Sequence, residues 1–158
     1  MTISHAVPPT RTRRERSSVP PAPVAGAVLE LVERSRTGLL SACHASAASE
    51  RFSLAHLGAL RAAAALLAAR GQAGSRSRPR SVWTAISVAA PELSEWAAFL
   101  ADCGRRRQAI ERGSLEVSSR EADDLVRQAE TFLELILAQL GLPVQASVTQ
   151  RMTPILRP

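Results

Sequence analysis

Residues 119–140, SREADDLVRQAETFLELILAQL, specify one long helix whose two ends and buried face are all written in the letters. Ser118 and Glu121 form an S-x-x-E capping box, in which each side chain satisfies a free N–H of the first turn. Gly141 and Pro143 stop the helix at its far end. Between them Ala122, Leu125, Ala129, Phe132, Leu133, Ile136 and Leu140 recur at helical spacing on one side. A helix with one such face needs other helices or a sheet to cover it, and the rest of the chain supplies only helices.

Its 158 residues amount to one domain, enough to bury roughly 70% of the unfolded surface. Aromatics are few and Tyr is absent, so the apolar mass is Ala, Leu and Val. Ala and Leu are the best apolar helix formers, and no window alternates with period two for long enough to argue for a sheet. The expected fold is all-α, an antiparallel bundle of four to five helices.

The first helix is predicted from Ala22 to about Ala47, with Val24, Val28, Leu31, Val32, Ser35, Leu39 and Cys43 on its period and Gly38 as an interior weak point. A second runs from about Glu50 to Arg70, with Ser49 as N-cap. Phe52, Leu54, Leu57, Leu60 and Leu67 give it a broad apolar side, and the Ala62–Ala65 run permits a neighbour to approach closely. GQAGSRSRP, from Gly71 to Pro79, reads as a flexible loop. A short helical turn follows around Ser81 to Ala89. A longer helix then starts at Pro91, a residue favoured in the first turn, and ends near Arg112–Gly113. Leu93, Trp96, Phe99, Leu100, Cys103 and Ile110 mark its buried side. The domain reading is an Arg- and Pro-rich disordered arm over 1–21, a bundle over 22–141 and a loose tail over 142–158.

All twenty basic residues are Arg, which a GC-rich genome explains without any demand for RNA binding. Distribution says more. The stretch 81–141 carries ten acids against six arginines, and positive charge gathers in Arg11, Arg13, Arg14 and Arg16, in Arg70 to Arg80, and in Arg105–Arg107. A basic run binds phosphates through counterion release, but it is more often a solvated connection. Cys43 and Cys103 fit core-facing helical positions and reduced thiols in a cytoplasmic protein. No apolar run approaches the roughly 18 residues of a membrane span. The arginines near the start are followed by no apolar h-region, so no secretory signal is expected. That Arg- and Ser-rich stretch fits a disordered arm or a start codon placed too early better than a transit peptide.

At RPRSVWTAISVAAPELSEWAAFL (78–100), READDLVRQAETFLELI (120–136) and RFSLAHLGALRAAAALLAAR (51–70), the chain resembles a small actinobacterial family of HEPN-domain proteins, of Streptomyces and Mycobacterium type. The resemblance covers about residues 24 to 141. It implies a four- or five-helix bundle, often a homodimer; no cofactor is expected. Active members are metal-independent endoribonucleases with an Arg-x4–6-His motif near the start of the last core helix. Many belong to toxin–antitoxin or antiphage systems, some beside a nucleotidyltransferase-like partner. The Arg polarises the scissile phosphate, and a His titrating near neutrality moves the proton.

The matching helix offers Arg120 and Arg127, and neither is followed by a histidine. Asp123 and Asp124 stand there instead, read as first-turn stabilisation with an Asp123–Arg127 pair. One Arg-x4-His does occur, Arg51 to His56, on the second helix; five helical residues put the two about 140° apart. A histidine beside Phe52, Ala59 and Ala63 is more often a core residue than a catalyst. Cys43, His44, His56 and Cys103 lack zinc-ligand spacing, so no metal is expected. Trp83 and Trp96 fit core positions, Trp83 sealing the bundle's end, better than base-stacking ones.

Three readings follow. The first is a non-catalytic HEPN-type bundle acting as an interaction module on RNA, a nucleotide or a protein, as a homodimer and away from membranes. The second is an endoribonuclease using Arg51 and His56. The third is phosphate binding through Arg76, Arg78, Arg80, Arg105, Arg106 and Arg107, which requires the two basic runs to share a surface.

Overall fold

The structure is a computed structural model that describes residues 22–71 and 81–144. The expected arm over 1–21, the loop bearing Arg76, Arg78 and Arg80, and the tail from 145 onward lie outside the described residues. Five α-helices are described: α1 (Ala22–His44), α2 (Ala48–Ala69), α3 (Val82–Ala89), α4 (Ser94–Glu111) and α5 (Ser119–Leu140). A 3-10 turn, Pro91–Leu93, leads into α4, and no strand occurs among the described residues.

Helix α2 is the axis of the bundle and packs against all four others. The long helices alternate in direction along the chain. Arg51 near the start of α2 meets Asp123 near the start of α5, and Arg70 after its end meets Gln139 near the end of α5. These two therefore run parallel, with α1 and α4 antiparallel to α2. By length and composition α2 would qualify to cross a membrane, with mean hydropathy 1.5, although Arg51, His56 and Arg61 interrupt its apolar run. In the bundle its apolar surface is spent on neighbouring helices.

The middle of the face that α2 buries is made of small residues, with Phe52, His56, Leu66 and Leu67 buried beside them. Ala55, Gly58, Ala59, Ala62, Ala63 and Ala65 are buried, while the expected Leu54, Leu57 and Leu60 are only half-buried. The physical reason is distance. Four neighbours crowd one helix, and alanine lets each backbone come close, while the leucines fill the margins. At the α1–α2 crossing, Ser35 is buried and its hydroxyl donates to the Gly58 carbonyl at 2.8 Å.

Local chemistry sets the helix ends. α5 begins and stops where its letters say. Ser118 accepts from the Glu121 N–H, and Glu121 accepts from the Ser118 N–H at 3.0 Å. These bonds, with one from Arg106, hold the Glu121 carboxyl down at about 2. Gly141, at φ 66°, adopts the left-handed turn that lets the Leu142 N–H reach the Leu137 carbonyl. Helix α1 ends at His44, three residues before the expected Ala47, because Arg51 takes the Ala45 carbonyl through two N–H groups. With so short a turn, α2 starts at Ala48 with Ala47 as an N-cap lacking any side-chain bond, and Ser49 lies inside the helix. Along α5 every expected core residue is buried except the half-buried Leu140, and Val126 and Leu137 join them. On α4, Phe99 is exposed and Trp96 and Ile110 are half-buried, because α4 packs mainly on α2 and α3 and leaves its α5 side open.

Two glycines give opposite expectations. A Cβ on Gly58 would sit 2.8 Å from Leu39 Cδ2, a buried core atom with nowhere to go. Gly58→Ala gains about 1 kcal/mol of helix propensity but overpacks by about 1–3 kcal/mol, so net destabilisation is expected. A Cβ on Gly38 would press only on the end of the Arg61 side chain, which can swing away from its bond to the Arg34 carbonyl, and would make ordinary contact with the Gly58 backbone. Gly38→Ala is expected to stabilise by roughly 0.5–1 kcal/mol. Urea unfolding of both variants checks the contrast.

Candidate functional site

Arg51 and His56 lie one and a half turns apart on α2, and their side chains enter different environments. Arg51 faces the α1–α2 turn and α5. Its Nη1 donates to Asp123 Oδ1 at 2.5 Å, and its Nη2 and Nε donate to the Ala45 carbonyl at 2.9 and 3.2 Å. Asp123 therefore pairs across the bundle with Arg51, where an in-helix pair with Arg127 was expected. Arg127 pairs with Asp124. The difference is one of register: Asp123 lies on the α5 side that faces α2, one turn before Arg127 points outward.

His56 faces α3 and α4 and is 2% exposed. Its Nε2–H donates to the Leu100 carbonyl at 2.9 Å, which leaves Nδ1 a bare, buried acceptor without a partner. The ring packs against Trp83 at 5.7 Å, and Trp83 in turn meets Phe132 edge-on. Trp83 thus fills the seam between α2 and α5, not the bundle's end. Gly104 makes room for the imidazole; a Cβ there would stand 3.2 Å from Nε2. That glycine, at helical register opposite His56, is the partner that sequence reasoning missed. Burial drives the histidine's pKa down to about 4, with the charge of Arg107 acting in the same direction. At neutral pH the ring is uncharged, and no hydrogen bond joins it to Arg51.

The basic run on α4 is neutralised residue by residue. Arg105 pairs with Asp102 at 2.9 Å, Arg106 with Glu121 at 2.7 Å, and Arg107 with Glu111 at 3.3 Å. Arg106 also lies over the Phe52 ring, 5.2 Å from its centre. Two buried nitrogens of Arg107, Nε and Nη1, have no aligned acceptor. Arg112 and Arg120 make no ion pair among the described residues.

Both cysteines are free thiols, Cys103 buried and Cys43 half-buried. Burial raises both, Cys103 to about 11, so they stay protonated and serve as packing. Among the described residues no group of His, Cys, Asp and Glu could hold a metal ion. An open apolar cleft of about 650 Å³ lies where α1 begins and α2 and α5 end, lined by Val28, Leu29, Leu66, Leu140 and Leu142. Arg70 at its rim is already engaged by the Ala89 carbonyl and by Gln139.

A family model described as SAV_6107-like HEPN matches residues 42–137, well over half of the chain. The chain belongs to the SAV_6107-like HEPN family. No curated protein and no solved structure gave a significant match. The matched span runs from the end of α1 to near the end of α5, so it contains Arg51, His56, the α4 arginines and the two aspartates. In this HEPN chain, α5 carries Arg120, Asp123 and Asp124 in the turns where the resemblance puts the Arg and His of an active enzyme.

The depressed histidine makes stability pH-dependent. Between about pH 4 and 6.5 the unfolded chain binds a proton at position 56 that the folded one refuses, so stability rises with pH through that window. On acidification from pH 7 to 4 this single group is expected to remove roughly 3 kcal/mol. His56→Gln, which keeps a donor for Leu100, should flatten that part of the stability–pH curve in denaturant titrations.

Proposed function

We propose that this protein is a HEPN-type interaction module that binds a partner and does not cut RNA. The observation that carries the reading is the state of His56. A proton shuttle for RNA cleavage needs an imidazole that titrates near neutrality and reaches a phosphate ester. Here the ring is buried, neutral and bound to a backbone carbonyl. Arg51 adds to the case, since its guanidinium already serves Asp123 and Ala45.

The partner of such a module is a protein or an RNA. Pairing of Arg105, Arg106 and Arg107 with acids supports a protein, because a phosphate would have to displace three carboxylates from that surface. The homodimer implied by the family resemblance is part of the proposal, and light scattering of the full chain tests it.

The full chain incubated with labelled single-stranded and hairpin RNA in EDTA is expected to leave both intact, as is His56→Ala. Cleavage by the wild-type chain that disappears in His56→Ala and in Arg51→Ala would instead establish a metal-independent endoribonuclease at that pair.

A further inference from the structure

Helices α4 and α5 make few direct contacts, and the cleft between them holds an unusual combination of side chains. Glu95, Trp96 and Phe99 of α4 and Gln128 of α5 line about 330 Å³ of open space. Trp96 and Phe99 stand edge to face, ring centres 6.3 Å apart and planes at 82°. Trp96 is braced from behind by the buried Phe132, 5.8 Å away, so it is held as a fixed wall. Phe99 is 36% exposed, with no helix covering it.

The polar groups decide what such a cleft takes. Glu95 is exposed and makes no ion pair or hydrogen bond among the described residues, whereas Asp102 and Asp124 nearby on the same helices are each held by an arginine. Arg127, next to Gln128, has its charge offset by Asp124. Two aromatic faces carrying negative quadrupoles, one unopposed carboxylate and one carboxamide acceptor are complementary to a planar cation. An aliphatic side chain would leave the carboxylate unanswered, and an anion would be repelled by it.

We propose that the Glu95–Trp96–Phe99–Gln128 cleft is a guanidinium site that receives an arginine side chain from a partner protein. The guanidinium lies on the aromatic walls, donates to the Glu95 carboxylate and reaches the Gln128 carbonyl. The site gives the interaction module a contact of defined chemistry. It rests on that reading, yet the two fail separately, since RNA cleavage tests the one and the tryptophan signal described next tests the other.

The full chain, labelled with ¹⁵N-tryptophan, gives one indole signal from Trp96 and one from the buried Trp83, which serves as an internal control. Titration with acetyl-Gly-Arg-Gly-Arg-Gly-amide is expected to shift the Trp96 signal saturably and leave Trp83 in place. The same peptide with citrulline for arginine, equal in shape but uncharged, should bind about tenfold more weakly. Glu95→Gln and Phe99→Ala, both at exposed positions, should each weaken the arginine peptide by about fivefold while the Trp83 signal reports an intact core. Equal response to the arginine and citrulline peptides, no response, or indifference to Glu95→Gln would overturn the proposal. So would a Trp96 shift in the peptide-free chain when Arg11, Arg13, Arg14 and Arg16 are replaced by Gln, since the occupant would then be the chain's own arm.

Discussion

The close approach allowed by the small-residue face of α2 is the constraint on which everything else in the structure hangs. Ala55, Gly58, Ala59, Ala62, Ala63 and Ala65 let α1 and α5 pack closely along α2, with α3 and α4 against its remaining side. At such spacing, dispersion contacts between backbones and short side chains replace the large transfer terms that leucines would bring. The arrangement also dictates where bulk can go. The big side chains sit at the seams, with Phe132 between Trp83 and Trp96, and Phe52 under Arg106.

How far the sequence foretold this depends on the type of signal. Helix α5 was legible in full, because its capping box, its glycine stop and its apolar period are all local. The α1–α2 turn was not. Its shape comes from Arg51 reaching back to Ala45, a contact that no capping rule anticipates, and α2 starts at Ala48, ahead of the expected cap Ser49. The alanine stripe was visible as a run at Ala62–Ala65, but not that it would outrank the leucines as core. That ranking depends on how many neighbours surround the helix, a tertiary quantity absent from a single periodic pattern.

The candidate site divides in the same way. That His56 belongs to the interior follows from its neighbours Phe52, Ala59 and Ala63. That Leu100 would take its N–H and Gly104 would leave it room required the packing of α4. The pairing of Asp123 was misjudged for a related reason: a partner four residues away looks certain in a string, while one 72 residues away becomes visible only when α2 and α5 lie side by side. The HEPN fold is thus retained around a buried histidine and an arginine tied to a carboxylate.

The division between helical body and flanking sequence has one more consequence. The described residues contain 13 acids and 11 arginines, so 11 − 13 leaves them at −2. The other nine arginines, with Glu15 as the one acid among them, leave the remaining segments at 9 − 1, or +8. The sequence pI of about 11.2 therefore describes those segments and not the helical body. The helical body is thus weakly acidic, and the basic charge of the chain is carried by sequence outside it.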